Sequence, residues 1–378
     1  MDLAPRLSAM VEIDGAHGEG GGQLVRTAVA LSAVTGVPVR IVDIRARRRR
    51  PGLAAQHAAA VQAVAALCDA RCEGVQTRST TLSFWPHRLH GGVFEVDVGT
   101  AGSIALVLQA MLPAALSSGQ HVEVALRGGT DVPMAPPMDY LRLVLLPLLA
   151  RMGVQAELDM VRRGYFPQGG GEVRLALRPL TRLTPFAVAE RGPVAHVDLL
   201  AHVAHLPGEI AQRMAAAARA ALPPQLPVQA EVDVCAPELA LGPGGAIVLR
   251  AVAARTTLGA AAVAARGVPA ERLGQAAASS LRRDLDAGAT LDVHAVDQML
   301  VFLALADGPC AFRAAELGSH ARTVMWLLEK LTPARFDVSP AGAGVLVRVL
   351  PGSQGQLAES ASTAIACARP SATRAMRT

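Results

Sequence analysis

The chain has 378 residues, a net charge of +5 and a hydrophobic fraction of 51%, much of it alanine. This length predicts two domains, or one large domain with an insertion, and the basic balance suits an anionic partner. The alanine-rich stretches are broken by Arg or Pro before they reach spanning length, so no membrane helix is expected. Five scattered cysteines without a CxxC pair argue against a disulfide framework, and the absence of a secretion signal favours the cytoplasm.

Lysine is almost missing from the chain, since Lys330 is the only one. No Gly-Lys pair exists, which excludes the phosphate-binding GxxxxGK[ST] loop of P-loop ATPases. Lys330 itself ends an apolar helical pattern, 324–331, and this position disfavours a lysine nucleophile. Covalent nucleotidyl transfer by this chain would therefore need another residue.

Short apolar runs alternate with longer helical patterns, which predicts an α/β or α+β fold. In chain order we predict strand 37–44, helix 51–70, strand 93–98, helix 104–115, strand 121–126, helix 140–154 and strand 172–177. Pro51 is expected at a helix start, where its missing N–H needs no partner. From about residue 185 the pattern changes to an alanine-rich helix, 210–222, a proline-rich turn and strands near 228–234 and 247–252.

These patterns predict three parts of the chain. Residues 1–185 and 280–350 are expected to form a large discontinuous domain, and 186–279 a smaller inserted domain. Residues 351–378, dominated by Ser, Ala and Arg, are expected to be a mobile tail.

The first candidate site is the glycine-rich run 14–23, which precedes a helical pattern. Glycines let the backbone approach a phosphate closely, and a helix amino terminus favours anions. Glu19 within the run is suited to hold a divalent cation beside a phosphate. A flexible tight turn without a ligand is the structural alternative. For an isolated glycine cluster, the turn and the phosphate-binding loop are about equally favoured.

An arginine run, 45–50, forms the second candidate, between a predicted strand and a predicted helix. Guanidinium groups bind phosphate in bidentate fashion, so this loop could grip an RNA terminus. A solvated basic loop is the more common outcome for a charge run. The place of this run at the carboxyl end of a strand nevertheless favours the functional interpretation.

Two further candidates lie in the last third of the chain. Asp297 and Gln298 adjoin an apolar helical pattern, where they could cap the helix or, for the Gln298 amide, read an adenine edge. His320 precedes another helical pattern, and a helix amino terminus is expected to keep its imidazole neutral and nucleophilic. The histidine pairs in 87–90 and 202–205 lack a zinc-site pattern, so no metal is expected there.

Taken in order, seven segments resemble the RNA 3'-terminal phosphate cyclase family over nearly the whole chain to about residue 350. They are DGAHGEGGGQLVRTA, IRARRRRPGLAAQH, GTAGSIALVLQ, GGTDVPMAPPMDY, RRGYFPQGGGEV, HAVDQ and GSHART. The resemblance implies a large domain of three initiation-factor-type α/β units with a small inserted α/β domain.

The resemblance also implies a reaction. His320 would take AMP from ATP as a covalent histidyl-AMP and pass it to an RNA 3'-phosphate, which then closes to a 2',3'-cyclic phosphate with magnesium or manganese present. By position, the residues that match the family's ATP site are Gln109, His294, Ala295, Val296, Asp297 and Gln298. Those that match its phosphate and RNA contacts are Arg26, Arg45, Arg48, Gln56 and His57, with Glu19 near the metal.

Two positions depart from the family pattern. Arg47 replaces a glycine of the basic loop, and Val324 replaces an asparagine that follows the histidine motif. A non-catalytic RNA-binding relative, like the cyclase-like protein of ribosome biogenesis, is the alternative function, and the presence of His320 argues against it. An enolpyruvyl-type transferase is disfavoured because the chain has one lysine. The oligomeric state stays open, with a homodimer as one alternative.

Overall fold

A computed structural model describes residues 10–351 of the chain. The fold is mixed α/β, as the sequence predicted, and the mobile tail predicted for 351–378 lies, beyond its first residue, outside the described part. The strands are β1 (Val11–Asp14), β2 (Val39–Val42), β3 (Arg71–Glu73), β4 (Leu82–Trp85), β5 (Gly92–Asp97), β6 (Val122–Gly128), β7 (Ala156–Arg162), β8 (Gly171–Leu177), β9 (Ala187–Val188), β10 (Val194–Ala204), β11 (Val228–Cys235), β12 (Gly244–Ala253), β13 (Thr257–Val263), β14 (Cys310–Ala314), β15 (Arg335–Ala341) and β16 (Gly344–Leu350). The helices are α1 (Gly22–Thr35), α2 (Ala55–Ala66), α3 (Ile104–Ser117), α4 (Met138–Tyr140), α5 (Leu146–Ala150), α6 (Gly208–Ala221), α7 (Ala270–Asp286), α8 (Val293–Ala304) and α9 (Ser319–Leu331).

Three of the four sheets share one topology, with strand orders β1-β2-β4-β3, β5-β6-β8-β7 and β9-β14-β16-β15. In each, the first two strands are parallel and the others pair antiparallel. Parallel neighbours need a crossover, and α1, α3 and α8 supply it. The part of the chain that the structure describes thus contains three copies of a β-α-β-α-β-β unit, which pack on one hydrophobic core.

The fourth sheet, of order β11-β10-β12-β13, interrupts the third unit between β9 and α8. Its core is built from alternate residues of β10 and β12, such as Leu199 and Leu249, packed with residues of α6 and α7 such as Met214 and Leu273. Val248, which alternates with Leu249, joins the main core instead. One face of the inserted sheet therefore carries its own helices, while the other packs on the repeated units. The domain boundaries near 186 and 279 stay a prediction.

Two predicted helices differ from those in the structure, the first in where it begins and the second in its continuity. Helix α2 begins at Ala55 rather than Pro51, because Gly52 adopts a φ of +79° and its backbone packs against the carbonyl of Arg78. The helix predicted for 140–154 is divided into α4, a π-helical turn (Leu141–Leu145) and α5. Pro147 lacks the N–H that a continuous α-helix would need at this point, which explains the break in the regular pattern.

Asp292 connects α8 to two neighbouring segments. Its Oδ1 accepts hydrogen bonds from the backbone N–H groups of His294 and Ala295, both at 3.0 Å, so Asp292 caps α8, while Asp297 and Gln298, for which capping was one alternative, lie inside the helix. The hydroxyl of Tyr140 donates to the same oxygen at 2.6 Å, and the N–H of Gly259 in β13 donates to Oδ2 at 2.8 Å. The start of α8 is thereby fixed relative to α4 and to the inserted sheet.

Asp284 in α7 gives a pH dependence of stability. It is fully buried, and neither of its carboxylate oxygens has a hydrogen-bond partner in residues 10–351. Burial, with the nearby charge of Asp292, raises the pKa of Asp284 from 3.8 to about 7. The folded state then holds a proton that the unfolded state has lost, so this group lowers stability as pH rises from about 4 towards 7.

We expect Asp284→Asn to remove this loss. Relative to wild type, the free energy of unfolding of the variant should improve by about 1.4 kcal/mol per pH unit between the two pKa values. Urea denaturation of both proteins at pH 5, 6 and 7, each about a unit apart, measures the difference. Parallel pH profiles would show that Asp284 is not protonated in the fold.

No helix among residues 10–351 combines the length and the apolar character needed to span a membrane.

Candidate active site

A cavity of about 600 Å³ lies where the first repeated unit meets α3, α8, α9 and β13. It is lined by Glu19, Gly21, Gly22, Gln23, Arg26, Arg45, Arg48, Ala54, Gln56, His57, Leu106, Gln109, Met134, Ala135, Pro136, Pro137, Tyr140, Ala261, Val263, His294, Asp297, Gln298 and His320. The helices α1, α2, α3, α8 and α9 all contribute lining residues from their first two turns. Helix amino termini carry partial positive charge and unpaired N–H groups, so the cavity favours an anion such as a phosphate chain.

Three arginines supply full positive charge to the same wall. Arg26 on α1 is buried, and its Nε has no hydrogen-bond partner among the described residues. Burial lowers the pKa of Arg26 to about 10, so the group stays charged near neutral pH. Arg45 donates from Nη1 to the carbonyl of Gly52 at 2.9 Å, and Arg48 donates from Nη2 to Oε1 of Glu19 at 2.7 Å. Their remaining donors can bind phosphate oxygens.

Glu19 is the acidic centre of the cavity. One oxygen accepts from Arg48, and the other contacts Nε2 of His320 and accepts from Oγ of Ser319 at 3.3 Å. Burial by itself would raise the pKa of Glu19, but the hydrogen bond from Arg48 and the charge of His320 outweigh it and lower the pKa. Glu19 is therefore a carboxylate at neutral pH and joins the glycine-rich loop to α9.

His320 occupies the second residue of α9 with its two ring nitrogens in different surroundings. Nε2 faces Glu19, while Nδ1 lies 3.5 Å from Oδ2 of Asp297. The contact with Asp297 and the charges of both carboxylates raise the pKa of His320, against the effect of partial burial. The sequence-based expectation of a neutral ring rests on the helix amino terminus alone, whereas Glu19 and Asp297, which come from other segments, act on the pKa of His320 in the opposite direction.

His57 differs from His320 in both charge and contacts. Its Nδ1 accepts a hydrogen bond from the N–H of Ala54 at 3.1 Å, so Nε2 carries the proton of the neutral ring. Burial, with the charges of Arg26 and Arg45, lowers the pKa of His57 to about 3. His57 is therefore neutral near pH 7, and Nε2 packs directly on Gly22 at the start of α1.

Gly22 gives a test of this packing. A Cβ at Gly22 would overlap the ring of His57, whereas a Cβ at Gly318, ahead of α9, meets nothing within 4 Å. We expect Gly22→Ala to lower the free energy of unfolding by about 1–3 kcal/mol, since the helix start must move. Gly318→Ala, the matched control, should change stability by less than about 1 kcal/mol. Urea denaturation of both variants measures this, and equal effects would contradict the proposed steric cause.

Arg47, Arg49 and Arg50 of the arginine run lie outside the cavity. Of the residues matched to the family's ATP, phosphate, RNA and metal sites, all line the cavity except Ala295 and Val296. Those two are buried in the main core instead. Other lining residues were not predicted from the sequence, namely the segment 134–137 with Tyr140, and Ala261 and Val263 of β13. The segment 134–137 and Tyr140 lie in the recognised segment GGTDVPMAPPMDY but have no distinctive chemistry. Ala261 and Val263 reach the cavity only through the packing of the inserted sheet.

A second cluster of charged groups is fully buried away from this cavity. Asp131, Asp139 and His202 place their ligand atoms within 4.8 Å of one another, although no metal was expected at His202. Nη1 of Arg163 lies 2.8 Å from Asp139 and 3.5 Å from Asp131, and Nε2 of His202 lies 3.5 Å from each carboxylate. The guanidinium supplies the positive charge that the two carboxylates require. This cluster joins the second repeated unit to β10 of the inserted sheet.

Comparisons with known proteins identify relatives of this chain. The family model described as RNA 3'-terminal phosphate cyclase matches residues 17–338. A protein of that name from Nitrosospira multiformis is 48% identical over 342 residues, which is 90% of this chain and 97% of the relative. Proteins of the same name from Ignicoccus hospitalis and Methanopyrus kandleri are 48% and 44% identical, over 86% and 87% of this chain and 93% and 95% of their own.

Proposed function

The chain belongs to the RNA 3'-terminal phosphate cyclase family, and on this premise we propose that it uses ATP to convert an RNA 3'-phosphate into a 2',3'-cyclic phosphate. One observation carries the proposal: the imidazole of His320 lies beside Glu19 in a cavity walled by three arginines and by helix amino termini. A nucleophile next to a site for several phosphates is what nucleotidyl transfer requires.

In the first step Nε2 of His320 attacks the α-phosphorus of ATP, an N–P bond forms, and the bond to pyrophosphate breaks. Nε2 must be unprotonated for this attack, and its proton can pass to Glu19, which it contacts. Asp297, beside Nδ1, then keeps the other ring proton in place and stabilises the positive charge that develops on the imidazole. Arg26, Arg45 and Arg48 bind the triphosphate oxygens and the departing pyrophosphate.

In the second step an oxygen of the RNA 3'-phosphate attacks the AMP phosphorus and the N–P bond breaks, which frees His320. The RNA now ends in a 3',5'-linked pyrophosphate to adenosine. In the third step the vicinal 2'-OH attacks the RNA phosphorus, loses its proton to a base, and expels AMP. Gln56 and His57 lie on the same wall as the arginines, and we assign them to the RNA phosphate. Neutral His57 serves there as a hydrogen-bond donor or as packing for the loop.

The nucleobase binds on the opposite wall. His294, at the start of α8, lies edge to face with Tyr140, with ring centroids 6.0 Å apart, and Pro136 and Pro137 line the same region. The amide nitrogen of Gln298 donates to the carbonyl of His294 at 3.1 Å, which orients its amide oxygen and second N–H. We assign these groups, with Gln109, to the adenine and ribose of ATP.

A divalent cation fits this site at Glu19. Magnesium is typically held by one or two carboxylates together with substrate phosphates, and Glu19 is an ionised carboxylate among the phosphate-binding groups. Such a cation would be held by Glu19 together with the substrate phosphates and would neutralise charge on the triphosphate. We also propose that the protein works in the cytoplasm, since Cys68, Cys72, Cys235 and Cys310 are free thiols.

A direct assay tests the proposal. Purified protein is incubated with ATP, magnesium and an RNA labelled in its 3'-phosphate, and the product is treated with phosphatase. Cyclised ends resist phosphatase, and omission of ATP should abolish that resistance. Binding of the RNA without cyclisation, over a range of metals and nucleotides, would instead support the non-catalytic RNA-binding alternative.

A further inference from the structure

The arginine-rich loop between β2 and α2 presents two faces. Arg45 and Arg48 line the cavity, whereas Arg47, Arg49 and Arg50 are exposed. A tight turn, in which the N–H of Arg48 donates to the carbonyl of Arg45 at 2.9 Å, produces this division. The loop therefore carries positive charge both inside the cavity and on the surface beside it.

Arg78 extends the outer face from a separate segment. It is exposed, and its N–H donates to the carbonyl of Leu53 at 2.7 Å, directly after the loop. Its backbone packs so closely on Gly52 that a Cβ at Gly52 would overlap it. Arg78 is thus held by backbone contacts beside the end of the arginine-rich loop, and we call Arg47, Arg49, Arg50 and Arg78 the outer arginines.

None of the outer arginines forms an ion pair within residues 10–351, although thirteen arginine–carboxylate pairs occur there. Residues 44–53 include five arginines and no acidic residue. Like charges held close together repel one another, and a polyanion relieves the repulsion by displacing bound counterions. The surface is therefore complementary to a chain of phosphates.

We propose that the outer arginines bind the backbone phosphates of RNA upstream of its 3' end. This inference rests on the proposed function, because the terminal phosphate must lie in the cavity beside Arg45 and Arg48. The RNA backbone that leaves the cavity along this loop meets the neighbouring residues Arg47, Arg49 and Arg50 first. Arg47 is the residue that departs from the family's glycine, so the departure adds one phosphate contact to this chain.

This mode of binding should be independent of RNA sequence. The two segments that contain the outer arginines are 47–52 and 76–79. Neither has an aromatic side chain on which a base could stack. Trp85 is covered by Arg71 and Trp326 by His17 and Lys330. Contacts to phosphates alone give affinity that falls with salt and does not depend on the bases.

The test compares two triple variants that each lower the net charge by three. The first is R47Q/R49Q/R50Q, and the control is R219Q/R272Q/R282Q on exposed positions of α6 and α7. Each is assayed with a long oligoribonucleotide 3'-phosphate and with a dinucleotide 3'-phosphate. Binding of the long RNA is measured separately by fluorescence anisotropy at several salt concentrations, and covalent labelling by ATP is measured without RNA.

For the first variant we expect KM for the long RNA to rise at least tenfold, with the dinucleotide KM and the labelling by ATP unchanged. The slope of log affinity against log salt should weaken by about 2, since single strands give about 0.7 per phosphate contact. The control should match wild type in every assay.

A first variant that matches wild type, or that loses dinucleotide activity or labelling equally, overturns the inference. If wild type cyclises neither RNA but anisotropy shows the expected losses, the proposed function fails while the RNA surface stands.

Discussion

His320→Ala should lower the rate of RNA cyclisation by about a thousandfold or more, because removal of the nucleophile in covalent catalysis has effects of this size. The loss follows from the geometry, since Nε2 of His320 is the ring nitrogen that faces Glu19 and the phosphate-binding arginines. His57, the other histidine on that wall, has Nδ1 engaged with Ala54 and its Nε2 against Gly22, so it cannot replace His320. Cyclisation rates under saturating ATP and RNA measure the effect.

The same substitution at an exposed histidine provides the control. His121 pairs with Glu123 on the solvent face of β6 and lies outside the cavity. His121→Ala should keep the wild-type rate. The side chain of His320 is 45% exposed, so its loss should lower stability little and the variant should remain folded. A folded His320→Ala protein with near-normal cyclisation would remove His320 from the mechanism.

Arg163→Leu should produce the largest loss of stability among the predicted changes. It would leave Asp131 and Asp139 buried without the guanidinium that contacts both, and removal of one partner from a buried ion pair costs about 3–5 kcal/mol. That is a large part of the 5–15 kcal/mol, roughly, by which a domain is stable. Urea denaturation at pH 7 measures the loss.

Arg142→Leu is the matched control, because Arg142 binds the same carboxylate of Asp139 from the surface at 2.8 Å with its side chain 44% exposed. In this variant Asp139 keeps its buried contact with Arg163, and only a half-exposed guanidinium is lost, so the control should lose clearly less stability than Arg163→Leu. Equal losses in the two variants would show that burial of the cluster does not govern its energetics.

The cluster also predicts a dependence of stability on acid. Burial would raise the pKa of Asp131, but the charges of His202 and Arg163 outweigh it and lower the pKa to about 2. Because the folded-state pKa lies below the unfolded value of 3.8, this group stabilises the fold above that value and loses its contribution as pH falls towards 2. In Arg163→Leu, which lacks this positive charge, the free energy of unfolding should begin to fall at a higher pH on acidification.

The fold class and most cavity residues were accessible from the sequence for physical reasons. Apolar periodicity identified the alternation of strands and helices, and Glu19, Arg48 and His320 lie in segments with distinctive chemistry. Ala295 and Val296 do not line the cavity, because five consecutive residues of a helix cannot all face the same side. On α8 the residues at 294, 297 and 298 share one face by helical spacing, and the two between them point into the core.

Other features depend on contacts between segments far apart in the chain. The charge of His320 depends on Glu19 and Asp297, which approach it only in the fold. The buried groups around Arg163 come from the second unit and from β10. They are far apart in the sequence, so a search for local zinc-ligand spacing does not find them. Pro51 is of a residue type that suits a helix start, but the close packing of Gly52 against the carbonyl of Arg78 prevents the helix from beginning there.

The proposed mechanism requires covalent attachment of AMP to His320, and peptide mapping after reaction with ATP labelled in the α-phosphate detects such an adduct. Wild-type protein is incubated with this ATP and magnesium without RNA, denatured, digested and analysed by mass spectrometry. We expect AMP on the peptide that contains His320, in a linkage that acid cleaves and alkali leaves intact, as a phosphoramidate behaves. AMP on another residue, or no adduct across the metals and nucleotides tested, would contradict the account.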